Sequence, residues 1–149
     1  MPIAVERTFT VTAPAATVLD HLADFGNARR CDPGTRHTTR NDAGPITVGA
    51  NWHHVSRVLG LTTELTYTLC ERTPHRLVFV GRNEDTTATD TVTVHPGAAG
   101  TVVTYHLHRE MHGLAKLATP VLRAEFEKLA GRTAGNLTEV LNRLASQAR

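Results

Sequence analysis

Seven positions near the carboxyl end, Leu122, Phe126, Leu129, Thr133, Leu137, Val140 and Leu144, recur at spacings of four and three. That spacing puts them in one stripe along an α-helix and fits neither a strand nor a loop. Thr119 followed by Pro120 reads as an N-cap with proline in the first helical position, where its missing N–H is no loss. The helix expected from Thr119 to Ala145 runs roughly 35–40 Å at 1.5 Å per residue. A stripe of that length has to be buried against something broad and apolar, and the chain upstream offers strands. Thr133 interrupts the stripe at its middle. Its hydroxyl either bonds back to the preceding turn or contacts a bound molecule. Gly131 and Gly135 fall on the opposite side of the helix and open no room beneath it.

Upstream, Val5, Arg7, Phe9 and Val11 alternate with Glu6, Thr8, Thr10 and Thr12 as a half-buried first strand. Ala13-Pro14 opens a short helix holding Val18, Leu19 and Leu22. Asp24 caps a second short helix, Phe25 to Arg30, which Asp32-Pro33-Gly34 stops. From Thr35 to Met111 the pattern is alternation broken by turn signals. Thr35–Asn41 suits an edge strand, and Asp42-Ala43-Gly44-Pro45 a loop. Trp52–Leu59 and Thr63–Glu71 flank Gly60 as a hairpin, followed by strands at Leu77–Gly81, Thr86–Val94 and Thr101–Met111. Strands in antiparallel succession followed by a long helix argue for an α+β fold, with a curved antiparallel sheet of about seven strands around that helix.

Length and charge narrow the function. The 149 residues fit one domain, 1–149, with a core large enough to need no staples. The formal charge of +2 is small and its Lys and Arg residues are dispersed, so nucleic acid is not expected as a partner. No apolar run reaches the length of a membrane span, and Met1–Thr10 lacks the apolar region of a secretory signal. Cys31 and Cys70 are isolated, which suits two free thiols in a reducing cytosol. A cytoplasmic protein is the expectation, with self-association as a homodimer left open.

The period of two assigns faces. Leu65, Tyr67 and Leu69 share one face, as do Val103, Tyr105, Leu107, Arg109 and Met111, and these sets should meet the helix. Ala88, Asp90, Val92 and Val94 form the inner set of their strand, which brings one carboxylate, Asp90, to the helix side. The strand at Trp52–Leu59 is ambiguous: Trp52, His54, Ser56 and Val58 compete with His53, Val55, Arg57 and Leu59. A curved sheet gripping a long helix, held apart at one end by two short helices, should enclose a cavity suited to a small apolar ligand. A buried carboxylate costs several kcal/mol unless paired, so Asp90 must find a cation, find a donor or keep its proton. Either it pairs with Arg109 or a tyrosine and acts on a ligand, or it belongs to a structural ion pair at the rim of the sheet. His106-x-His108-x-Glu110 resembles a metal triplet, but alternates with the apolar face and should be solvated. No metal or cofactor is expected.

Several segments resemble the START-like, Bet v 1-like (SRPBCC) helix-grip superfamily, and within it the bacterial polyketide cyclase/dehydrase and lipid-transport branch. Phe9-Thr10-Val11-Thr12-Ala13-Pro14-Ala15-Ala16-Thr17-Val18 is similar to its first strand and "APAxxV" helix start. Leu22-Ala23-Asp24-Phe25-Gly26-Asn27 is similar to "LADFxN", and Cys31-Asp32-Pro33-Gly34 to "WDPG". Leu65-Thr66-Tyr67, Thr73-Pro74-His75-Arg76-Leu77-Val78, Thr87-Ala88-Thr89-Asp90-Thr91 and Gly100-Thr101-Val102-Val103-Thr104-Tyr105 follow in order. The resemblance covers nearly the whole chain and implies a β-α-α-β6-α topology with a deep cavity. It does not choose among carriers, cyclases and regulatory modules, because one fold hosts them all.

Two departures stand out. Where relatives often carry aromatics in the second short helix, this chain has Ala28 and Cys31, which should widen the cavity unless neighbours fill it. Aromatic cyclases of the branch use a polar pocket group, commonly an arginine with hydroxyls. Arg57 beside Ser56 suggests one, but strand neighbours face opposite ways, and no catalytic residue carries over. The candidate catalytic residues are therefore Asp90 and Arg109. The candidate ligand contacts are Cys31, Tyr67, Phe79, Val92, Tyr105, Leu107, Phe126, Leu129, Thr133 and Leu137. The expected function is binding of a hydrophobic, aromatic or polyketide-like small molecule between sheet and helix. Cofactor-independent cyclisation or dehydration is an open extension. A non-catalytic carrier or sensor, or a protein-interaction module, is the alternative. Asp90, Arg109 and a tyrosine converging on a cavity would favour the enzyme, and an apolar cavity with one polar end the carrier. A space packed shut by Phe126, Leu129 and Trp52 would leave only the interaction module.

Overall fold

The computed structural model describes residues 2–147, without the side chains of residues 28, 29 and 147. The chain opens with β1 (Ile3–Val11), then α1 (Ala15–Ala23) and α2 (Phe25–Arg29). Six strands follow: β2 (Thr35–Arg40), β3 (Asn51–Val58), β4 (Leu61–Arg72), β5 (Arg76–Arg82), β6 (Thr86–Gly97) and β7 (Gly100–Met111). A 3-10 segment, Gly113–Ala118, leads into α3 (Thr119–Gln147). The strands form one sheet in the order β1-β7-β6-β5-β4-β3-β2 with every pair antiparallel. This is the α+β helix-grip arrangement expected from the sequence.

Each alternating face lands where its apolar members require. Leu69, Leu77, Val92, Val103 and Tyr105 are buried on the concave side, while the intervening threonines and histidines face outward. The ambiguous strand resolves in favour of Trp52 and His54, each 1% exposed. Arg57 points into solvent, and His53 pairs on the outer face with Glu64 Oε1 at 2.9 Å. The β3–β4 turn is made by Leu59 and Gly60 with φ of 53° and 79°. Two left-handed residues give the twist that a two-residue hairpin needs. The turn therefore takes Leu59 out of the expected strand.

Helix α3 lies along β1 and runs in the same direction. Arg7 Nη2 donates to Glu127 Oε2 at 2.7 Å, and the Thr12 N–H donates to Asn142 Oδ1 at 2.9 Å. Its stripe faces the sheet, with Leu129, Thr133 and Leu137 buried and Leu122, Phe126, Val140 and Leu144 half-buried. Leu141, at 0% exposure, and Ala130, at 1%, widen the stripe beyond the seven positions, as a core-facing helix usually requires. Gly131 and Gly135 are exposed on the far side. Thr119 is not the cap expected from the sequence. Its φ and ψ of −51° and −47° are already helical, and its N–H bonds the Lys116 carbonyl. The 3-10 segment supplies the first carbonyls, so the helix needs no side-chain cap there.

Candidate functional site

Between the amino-terminal half of α3 and one end of the sheet lies a cavity of about 280 Å³. His54, Ser56 and Val58 of β3 and Leu65 and Tyr67 of β4 form one wall. Leu122, Phe126 and Leu129 of α3 form the roof, and Arg109 and Met111 of β7 close the far side. The mouth is framed by Leu61 of the hairpin, Asn83 and Asp85 of the β5–β6 turn, and Ala115 and Ala118 of the 3-10 segment. A broader depression of about 520 Å³ lies at the opposite end of β4, beside Asp20 and Arg72. Its two charged side chains form an exposed ion pair, Arg72 Nη2 to Asp20 Oδ1 at 2.9 Å. The smaller cavity holds the buried polar groups and is the candidate site.

Its floor follows from strand register. Tyr67, Gly81, Ala88 and Arg109 are cross-strand partners in one row over β4, β5, β6 and β7. Gly81 and Ala88, the two smallest side chains available, leave a trough between the tyrosine and the arginine. Tyr67 lies down in it: a Cβ on Gly81 would stand 2.7 Å from the ring, closer than packed atoms approach.

Arg109 and Asp90 form a buried ion pair. Nη1 donates to Asp90 Oδ1 at 2.6 Å and to the His108 carbonyl at 3.1 Å. The side chains are 4% and 3% exposed. On the helix side the guanidinium carbon sits 5.6 Å from the centroid of the Phe126 ring, within the range of a cation–π contact. The arginine is thus gripped from below by a carboxylate and covered from above by an aromatic face. Breaking such a pair by removing one partner costs about 3–5 kcal/mol, because the other charge stays buried. Across the cavity, His54 Nδ1 is held by Thr38 Oγ1 at 2.9 Å, which fixes the ring relative to the sheet.

The proposed site residues separate into two groups. Arg109, Tyr67, Phe126 and Leu129 line the cavity, and Asp90 stands behind Arg109. Cys31, Phe79, Val92, Tyr105, Leu107, Thr133 and Leu137 are buried but are not among its lining residues. Phe25 explains the division. Reaching in from α2, it stacks on Tyr67 at 4.2 Å between centroids and packs against Phe79 at 5.0 Å and Trp52 at 5.9 Å. This aromatic plug fills the space at the α1–α2 end. Cys31 lies near that end with its carbonyl held by Asn136 Nδ2 at 2.8 Å, and burial pushes its thiol pKa up. The side chain of Ala28, the other departure noted in the sequence, lies outside the described residues.

Sequence reasoning left out Ser56, Val58, Leu65, Thr86 and Met111 as cavity residues. It also left out the 3-10 segment and the plug. Alternation had already put Leu65 and Met111 on helix-facing sets, and Phe25 is the sole aromatic in the two short helices, so these had a visible signal; the 3-10 segment had none. His106, His108 and Glu110 lie on the convex face, and no group of three or more His, Cys, Asp or Glu among the described residues could hold a metal ion. No helix among the described residues is long and apolar enough to cross a membrane.

Solved structures with the same architecture are numerous. TTHA0849 from Thermus thermophilus superposes with a TM-score of 0.77 at 15% identity, covering 98% of this chain and 99% of that one. The Zhui aromatase/cyclase from Streptomyces sp. R1128 gives 0.74 at 17% identity over 100% and 97%. A START superfamily protein from Mycobacterium smegmatis gives 0.68 at 15% identity over 99% of both chains. At such identities the likeness establishes the fold alone. No curated protein sequence matches the chain significantly. Across residues 2–149 the sequence matches the family described as polyketide cyclase / dehydrase and lipid transport, and the chain belongs to that family.

Proposed function

We propose that this protein binds a small, largely apolar, carbonyl-bearing molecule in the cavity beneath α3 and promotes its cyclisation or dehydration. The observation that carries the reading is the buried Arg109, which lines the cavity while Asp90 and Phe126 hold its guanidinium in place. A donor fixed before the ligand arrives stabilises a developing oxyanion without reorganising, and removing one such donor typically costs about 10²–10³ in rate. With a ligand carbonyl against Arg109, loss of an α-proton to His54 would place the enolate charge at the arginine. The enolate carbon would attack a second carbonyl to close the ring. The alkoxide so formed would take that proton back from His54 as a hydroxyl, and His54 would then accept the second α-proton and pass it to the hydroxyl, which leaves as water. Family membership supports a hydrophobic ligand in this cleft, and the likeness to an aromatase/cyclase adds the chemical direction.

Turnover of the ligand that co-purifies from the native host, identified by native mass spectrometry, tests the reading. Arg109→Met and the double variant Asp90→Asn/Arg109→Met should lose about 10²-fold or more in rate, with circular dichroism reporting an intact fold. Unchanged turnover in both refutes the catalytic assignment. The carrier reading rests on the apolar walls, Val58, Leu65, Leu122 and Leu129, around the buried arginine. A co-purifying molecule recovered unaltered after incubation with the protein supports it instead.

A further inference from the structure

Resting on the ligand-binding reading above, we propose that Asp90 sets the charge class of the molecule this cavity accepts: neutral carbonyl and hydroxyl compounds enter, and carboxylates and phosphates are refused. An arginine in an apolar pocket ordinarily attracts anions, because its planar fork matches a carboxylate. Here the countercharge is built into the protein. Asp90 Oδ1 sits 2.6 Å from Arg109 Nη1, with both side chains almost fully buried, so solvent screens the pair weakly. A ligand carboxylate would give up its hydration and find the arginine of the lining already neutralised, which is the costly case for a buried charge. A neutral carbonyl oxygen needs a hydrogen-bond donor and no countercharge.

Two-ring probes of equal shape test the assignment in a cavity of about 280 Å³. Binding of 2-acetylnaphthalene and of 2-naphthoate is measured calorimetrically on the full chain near neutral pH, where the naphthoate is ionised. The ketone is expected to bind at least about tenfold more tightly than the isosteric carboxylate. In Asp90→Asn the naphthoate should gain about tenfold or more, while the ketone shifts by no more than about threefold. The double variant Asp90→Asn/Arg109→Gln should lose that gain, which assigns it to the unmasked arginine. The wild-type ratio stands as a test even if Asp90→Asn does not fold. Naphthoate binding wild type as tightly as the ketone overturns the charge assignment and leaves ligand binding standing. Failure of both probes to bind overturns the ligand-binding reading itself.

Discussion

The two halves of the α3–sheet interface are built from the same helical stripe and differ in what lies beneath it. In the carboxyl-terminal half Leu137 and Leu141 are 1% and 0% exposed, in the same core as Phe25, Phe79 and Trp52. In the amino-terminal half Leu122 and Phe126 are half-buried and face open volume. The stripe alone does not account for the difference, since its spacing is the same throughout. What differs is the third layer. At one end α1 and α2 bring Phe25 into the gap. At the other only the 3-10 segment is present, offering Ala115 and Ala118. An apolar seam closes where an aromatic side chain reaches in and stays open where alanines do.

Mutations at the closed end should cost stability, and mutations at the open end should change binding. The largest effect is expected from Phe25→Ala, about 3–5 kcal/mol by chemical denaturation. It should also extend the cavity toward Phe79 and Leu107 and admit larger ligands. Unchanged ligand size selectivity in a folded Phe25→Ala protein would remove the plug. Leu141→Ala should cost about 2–5 kcal/mol. Leu122→Ala should cost less than about 1 kcal/mol, because Leu122 is only partly covered. Equal losses in the two variants would contradict the comparison. Gly81→Ala sharpens it from the cavity floor. A methyl group 2.7 Å from the Tyr67 ring should cost about 1–3 kcal/mol through overpacking and weaken ligand binding as the ring is displaced. The smallest effect is chemical. Cys31 is buried with its thiol pKa raised by burial, whereas Cys70 is exposed. Alkylation in native buffer should therefore label Cys70 first, with Cys31 labelled only on unfolding. Equal labelling rates, read by peptide mass spectrometry, would place Cys31 outside the closed end.

The periods of two and of three-to-four were enough to order the elements, assign faces on β4, β6 and β7, and bring Asp90 and Arg109 to the same side of the sheet. Those inferences are local, since alternation is a property of each strand. Two features resisted the same treatment. The β3 strand carried polar residues on both faces, so alternation could not choose between Trp52-His54 and His53-Arg57. The N-cap expected at Thr119 failed because the 3-10 segment has too few residues to show a period.

The amino-acid sequence by itself determined a long amphipathic helix, an antiparallel succession of strands and an inward-facing carboxylate with an arginine on the same face of a later strand. Each follows from spacing along the chain and from the cost of burying a charge alone. Only the tertiary structure decided which end of the interface stays open. It also decided that Tyr67 lies across Gly81, and that Arg109 faces the cavity while Asp90 stands behind it. Those outcomes depend on strand register and on Phe25 crossing from α2 to the sheet. They arise from contacts between residues far apart in sequence, where volume and shape choose the arrangement and local periodicity has no say.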